Sequence, residues 1–169
     1  PGDIYRFTDR DTAAVRITVN GKPAKYNLEQ GYAVLTQTWK KGDVVTLHLP
    51  MNVRKVKAID SIPQDRNRLA LQRGPLVYCV EHADNNGHAY NMLLPENAQL
   101  TSSYRPDLLN GIVIIQGEVP VFAPSADGEA VVTHREQLTA IPYFAWANRS
   151  KGEMQVWLPT KVASLKVAP

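Results

Sequence analysis

The feature that most constrains this chain is a missing one: no stretch sustains the i, i+3, i+4, i+7 apolar spacing of an amphipathic helix. Twelve prolines are spread through the 169 residues, and each removes a backbone donor and breaks a helix interior. Short runs rich in β-branched and aromatic residues take the place of helices. In Ala13–Val19, Val15, Ile17 and Val19 alternate with Arg16 and Thr18, the pattern of a half-buried strand. Asn20-Gly21 follows at once, a strong hairpin signal because both residues tolerate positive φ. Tyr32–Trp39 is the next run. Lys41-Gly42-Asp43 then turns into Val44–Leu49, where Val45, Leu47 and Leu49 face one way and Pro50 closes the strand.

Further strands are expected at Leu69–Gln72, Leu76–Glu81, Ile112–Gln116, Val119–Phe122, Ala130–Thr133, Leu138–Trp146 and Met154–Leu158. Leu76–Val80 is apolar on both sides, which predicts a central strand covered on both faces. With no helical segment between strands, the pattern predicts an all-β fold, a jelly-roll-like β-sandwich rather than a βαβ arrangement. Pro63 and the polar cluster at 60–67 suggest a division into 1–62, part of a first sandwich, and 63–169, a more complete second one. The long polar stretch Asp84–Arg105 reads as a mobile or functional loop.

Composition narrows the function classes. Nothing approaches the ~18 consecutive apolar residues of a membrane helix, and no secretory leader is legible within the chain. The 19 Lys and Arg exceed the 16 Asp and Glu by only three. Residues 1–75 hold 13 basic against 7 acidic residues and 76–169 hold 6 against 9, which fits two adjacent β regions and does not call for nucleic acid. One cysteine, Cys79, excludes an intrachain disulfide and a multi-cysteine zinc site.

Candidate chemistry is sparse. Cys79 lies in the most apolar strand and reads as a small buried hydrophobe rather than a nucleophile. Glu81, His82 and Asp84 at the end of that strand are the candidate acid/base cluster, with His88 as a further ligand or base if the loop brings it near. His48 and His134 read as surface residues. Asn148-Arg149-Ser150 matches the N-glycosylation acceptor pattern, which carries little weight alone. Trp146 and Trp157, with Tyr143 and Phe144, make the C-terminal third aromatic. Trp157 and Trp146 are the candidate carbohydrate contacts, set against a packing role. No phosphate-binding glycine loop, nucleophile elbow or HExxH motif is present.

An ordered set of longer motifs goes further. Val19-Asn20-Gly21-Lys22-Pro23 is followed by Trp39–Val45 (WKKGDVV) and Leu47–Met51 (LHLPM). Arg68–Glu81 (RLALQRGPLVYCVE), Leu138–Arg149 (LTAIPYFAWANR) and Gly152–Leu158 (GEMQVWL) complete the set. Together they resemble the C-terminal β-sandwich region of glycoside hydrolase families 127 and 146, the β-L-arabinofuranosidase-like enzymes, over about Val15 to Leu158. The resemblance implies a bacterial enzyme whose active site lies in an (α/α)6 barrel, with a zinc-bound cysteine as nucleophile. This chain contains no such barrel, and Cys79 matches the family's post-barrel segment rather than its catalytic motif. The resemblance therefore implies no catalytic residue, no metal ligand and no cofactor here, zinc belonging to the absent barrel.

The expected role is that of a non-catalytic fragment supporting the barrel of a longer glycoside hydrolase, plausibly exported or periplasmic. Its expected partners are that barrel and other copies of itself; neither nucleic acid nor membrane is expected. Two rival roles stay open: a carbohydrate-binding module for plant-type arabinose-containing glycans, and an independent enzyme using the Glu81, His82 and Asp84 cluster.

Overall fold

The structure, a computed structural model, describes residues 2–10, 12–127 and 129–165. It contains strands and single-turn 3-10 helices only. The chain divides into two compact units: residues 11–51 form one, and residues 1–10 with 52–169 form the other.

The larger unit is built on an antiparallel sheet of β1 (Tyr5–Phe7), β7 (Val53–Ala58), β8 (Arg68–Arg73), β9 (Leu76–Glu81), β12 (Val131–Pro142), β11 (Ile112–Pro124) and β10 (Thr101–Arg105), in that order. The units part at 51/52, eleven residues before the expected boundary at 62/63. The reason is β7, which the sequence reading does not pick out. Its residues Val53–Val56 pair in register with Arg73–Ala70 of β8, and β1 pairs along its other edge. β7 alternates poorly because Arg54, Lys55 and Lys57 interrupt its apolar positions. Lys55 nonetheless lies partly desolvated, its ammonium donating to the carbonyls of Glu96 and Ala98.

β8 and β9 form a hairpin through the tight turn at Gly74-Pro75, paired from Arg73↔Leu76 to Leu71↔Tyr78. Beyond that point the hairpin opens like a Y, and the segment 154–159 fills the fork. β13 (Met154–Gln155) pairs with β9 at Glu81 and Val80, and β14 (Leu158–Pro159) pairs with β8 at Leu69 and Arg68. Residues 91–94 then bridge β14 to β11: the Leu94 N–H donates to the Pro159 carbonyl, and the Leu93 N–H to that of Pro120. The Phe122 N–H donates to the Asn91 carbonyl. These bonds close the strands around one core.

That core contains Leu69, Leu71, Tyr78, Val80, Met92, Leu94, Ile115, Leu138 and Leu158, all 2% exposed or less. The opposite face of the same strands is covered too, by Cys79, Ile112, Ile114, Ile141 and Ala145. β9 is thus central in the sheet and covered on both faces over Tyr78–Glu81, while Val77 beside the hairpin turn stays 42% exposed, against the expectation for the whole of Leu76–Val80. Two pairs of expected strands merge: 112–124 is one continuous strand and 131–142 another, paired from Ile115↔Ala140 to Pro124↔Val131. The expected loop at 84–105 is ordered instead. Met92 and Leu94 are fully buried within it, and Thr101–Arg105 forms the edge strand β10 on β11.

The smaller unit is sparser. β2 (Arg16–Val19) lies between β3 (Lys22–Pro23) and β6 (Val45–His48), and β4 (Asn27–Glu29) pairs with β5 (Tyr32–Val34). Asn20 and Gly21 adopt φ of 52° and 77°, the two-residue turn the sequence predicts. The Asn20 side chain also donates to the Asp43 carboxylate and accepts from the Val44 N–H. Among the described residues of this unit only Ile17 is buried. Val45, Leu47 and Leu49 share a face as their alternation implies, yet each is at least half exposed.

Candidate functional site

The C-terminal end of β9 carries the densest charge in the larger unit. Glu81 is 2% exposed and Asp84 10%, and both face Arg149 on the segment that follows β12. One guanidinium nitrogen of Arg149 donates to Glu81 Oε2 and Asp84 Oδ2, each at 2.5 Å, and the other to Asp84 Oδ1 at 2.6 Å. The buried Glu81 and partly buried Asp84 carboxylates on one guanidinium are charge-compensated and sterically occupied. They raise the Arg149 pKa, chiefly through the Asp84 hydrogen bonds.

Neighbouring polar groups extend this clasp. His82 Nε2 lies 3.1 Å from Ser150 Oγ, while its Nδ1 is buried without a partner among the described residues. A Cβ on Gly152 would collide with the same imidazole ring, so only glycine permits the approach. Asn85 is buried, donating to the carbonyls of Glu81 and Thr139 and accepting the Thr139 N–H. Glu153 accepts the N–H groups of Ala89 and Tyr90. Together these bonds tie 143–153, the 84–90 turn, β12 at Thr139 and the end of β9 to one another.

The structure brings Glu81 and Asp84 together through Arg149, whose part sequence reasoning missed, while His82 turns to Ser150 instead. The pairing spans 65 and 68 residues, a separation at which spacing carries no information. His88 is exposed on the neighbouring turn and His48 is exposed in the smaller unit. His134 is half-exposed and bonded to Glu136 at 2.6 Å. That bond is the largest of the contacts holding the Glu136 carboxyl below its usual range. Cys79 is fully buried, and desolvation, reinforced by Glu81 and Asp84, pushes its thiol up to about 12. A thiol so placed is no nucleophile near neutrality. Among the described residues no three His, Cys, Asp or Glu side chains are grouped to hold a metal.

Asn148 turns its amide back onto the carbonyls of Ala145 and Trp146. The two candidate sugar-contacting tryptophans sit in different surroundings. Trp146 is exposed and stacked on Tyr143, with ring centroids 5.7 Å apart, on the turn that the Arg149 clasp fastens. Trp157 lies in the fork between β13 and β14, against Tyr5 at 5.7 Å, and lines an open groove with Arg68, Asp65 and Tyr90.

Residues 53–159 match the description "Glycoside hydrolase family 127 C-terminal domain", and residues 6–51 match "Beta-L-arabinofuranosidase, GH127 middle domain". The two matches meet where the compact units part, except that β1 pairs with β7 although it falls within the middle-domain match. A non-reducing end β-L-arabinofuranosidase of Bifidobacterium longum subsp. longum is 33% identical over 83% of this chain and 23% of its own. Among solved structures, a GH127 β-arabinofuranosidase superposes on the whole chain with a TM-score of 0.91 at 38% identity, over 26% of its length. A GH127 β-L-arabinofuranosidase from Geobacillus stearothermophilus T6 matches 87% of the chain with a TM-score of 0.77 at 35% identity, over 24% of its length. The chain thus spans about a quarter of these relatives. With its length matched by that family's middle-domain and C-terminal descriptions, the chain belongs to glycoside hydrolase family 127.

Proposed function

We propose that this chain is a non-catalytic β region of a longer, β-L-arabinofuranosidase-like glycoside hydrolase, bracing a catalytic domain elsewhere in that protein, and that its uncovered apolar strands also hold copies together. The observation that carries this is the smaller unit. Leu28, Tyr32, Val45, Leu47 and Leu49 all stand at least half exposed, and Ile17 alone is buried among its described residues. Two or three short strands without a covered apolar face are at best marginally stable. The row Val45, Leu47 and Leu49, along β6 and just past its end, is exposed apolar surface of the kind that marks an interaction site. In the larger unit, the candidate acid/base carboxylates Glu81 and Asp84 are spent on the Arg149 clasp, and the thiol is buried and protonated.

The test has two arms. The 169-residue chain is expected to release no arabinose from an aryl β-L-arabinofuranoside; turnover abolished by Glu81→Gln would overturn the non-catalytic reading. Light scattering at micromolar concentration is expected to give a dimer or larger species, which Leu47→Asp disperses. A monomeric mass for the unaltered chain would remove self-association from the proposal.

A further inference from the structure

We propose that the groove at the β13–β14 fork, centred on Trp157, is a binding site for a neutral saccharide, a site separate from the bracing role and independent of it. The fork creates the groove: where β8 and β9 diverge, 154–159 pairs first with one and then with the other, and Val156-Trp157 spans the gap between the two ladders. The resulting groove is about 490 Å3 and open to solvent, within the roughly 300–1,000 Å3 of small-molecule sites. Tyr5 packs against the indole but does not line the groove, so the ring is held in place while another part of it remains available to a ligand.

The polar inventory selects the ligand class. Tyr90, Trp157, Gln64 and Asp65 line the groove, and the polar side-chain groups of all four have no hydrogen-bond partner among the described residues. Gln155 spends its amide N–H on the Ala89 carbonyl, leaving its oxygen as an acceptor. Arg68 is held in place by the backbone, donating at 2.9 Å to the carbonyls of both Trp157 and Ser164. Asp65 shares the lining with it, and burial raises the Asp65 carboxyl against the through-space pull of Arg68. Mixed donors and acceptors around two aromatic rings, with one cation and one carboxylate in the lining and so no net charge, give an acidic ligand no advantage. They suit vicinal hydroxyls above an apolar C–H face, which an aromatic ring covers well. Trp146, by contrast, is paired with Tyr143 on an exposed turn, so the two tryptophans are expected to behave differently.

The test is tryptophan fluorescence and calorimetry of the full 169-residue chain, titrated with neutral arabino-oligosaccharides and, as the acidic control, oligogalacturonate. The proposal expects saturable binding of the neutral sugar, weakened about tenfold or more by Trp157→Ala, a change equivalent to ~1.4 kcal/mol. Trp146→Phe is expected to leave it unchanged. Because Trp157→Ala also removes the contact with Tyr5, Asp65→Asn and Tyr90→Phe serve as shape-conserving variants, and each is expected to weaken binding severalfold. Absence of binding at millimolar sugar would overturn the proposal. So would binding indifferent to Asp65, Tyr90 and Trp157 together, or tighter binding of oligogalacturonate.

Discussion

Removing the Arg149 guanidinium tests the reading of the β9 terminus as a structural clasp. Arg149→Met keeps the length of the side chain and much of its packing but strands Glu81, 2% exposed, and Asp84, 10% exposed, beside one another. Breaking a buried ion pair by deleting one partner costs about 3–5 kcal/mol, because the remaining charges are desolvated without compensation. A chain of this size loses about 2–4 °C of Tm per kcal/mol, so the transition of the larger unit should fall by on the order of 10 °C. Calorimetry gives that shift, and near-UV circular dichroism reports the Tyr143–Trp146 stack that the clasp positions. Neutralising the stranded groups as well, in Glu81→Gln/Asp84→Asn/Arg149→Met, should recover more than half of the loss, since replacing all members of a buried triad costs far less than removing one. A single-variant loss under ~1 kcal/mol, the scale of an exposed pair, would refute the argument. So would a triple variant no more stable than the single one.

Gly152→Ala is expected to destabilise by about 1–3 kcal/mol, the cost of overpacking, because the new methyl meets the His82 ring; adding His82→Ala should relieve most of it in the same denaturation assay. Cys79 is expected to resist iodoacetamide at pH 8 in the native chain and react once unfolded. Its folded pKa of about 12 lies above the ordinary 9.0, so its contribution to stability declines as pH rises beyond about 9, where the unfolded thiol ionises first. Asp107, hydrogen-bonded to Arg105, is lowered to about 2. Its NMR titration midpoint should lie there and return toward 3.8 in Arg105→Ala. The stability it lends is present above the ordinary value and is lost as pH falls toward 2.

What could be read from the sequence alone follows from interactions between near neighbours. Period-two alternation and proline placement determine an all-β chain, because side chains of a strand take opposite faces whatever it pairs with. The Asn20-Gly21 turn is local in the same way, and so is the central place of β9, whose apolar residues need cover on both sides. Alternation could not reveal that Val45, Leu47 and Leu49 stay exposed, since covering them requires a partner surface that this unit does not supply. It also passed over β7, whose basic residues conceal its paired edges, and β10, whose residues Thr101–Arg105 are all exposed. Tertiary structure alone decided that the β8–β9 hairpin splits, that residues some 75 to 90 positions later enter the fork, and that Trp157 thereby lines a groove. It likewise decided that Arg149 closes on Glu81 and Asp84. Such contacts are selected by shape and charge compensation across long chain separations, and nothing in the local order of residues records them.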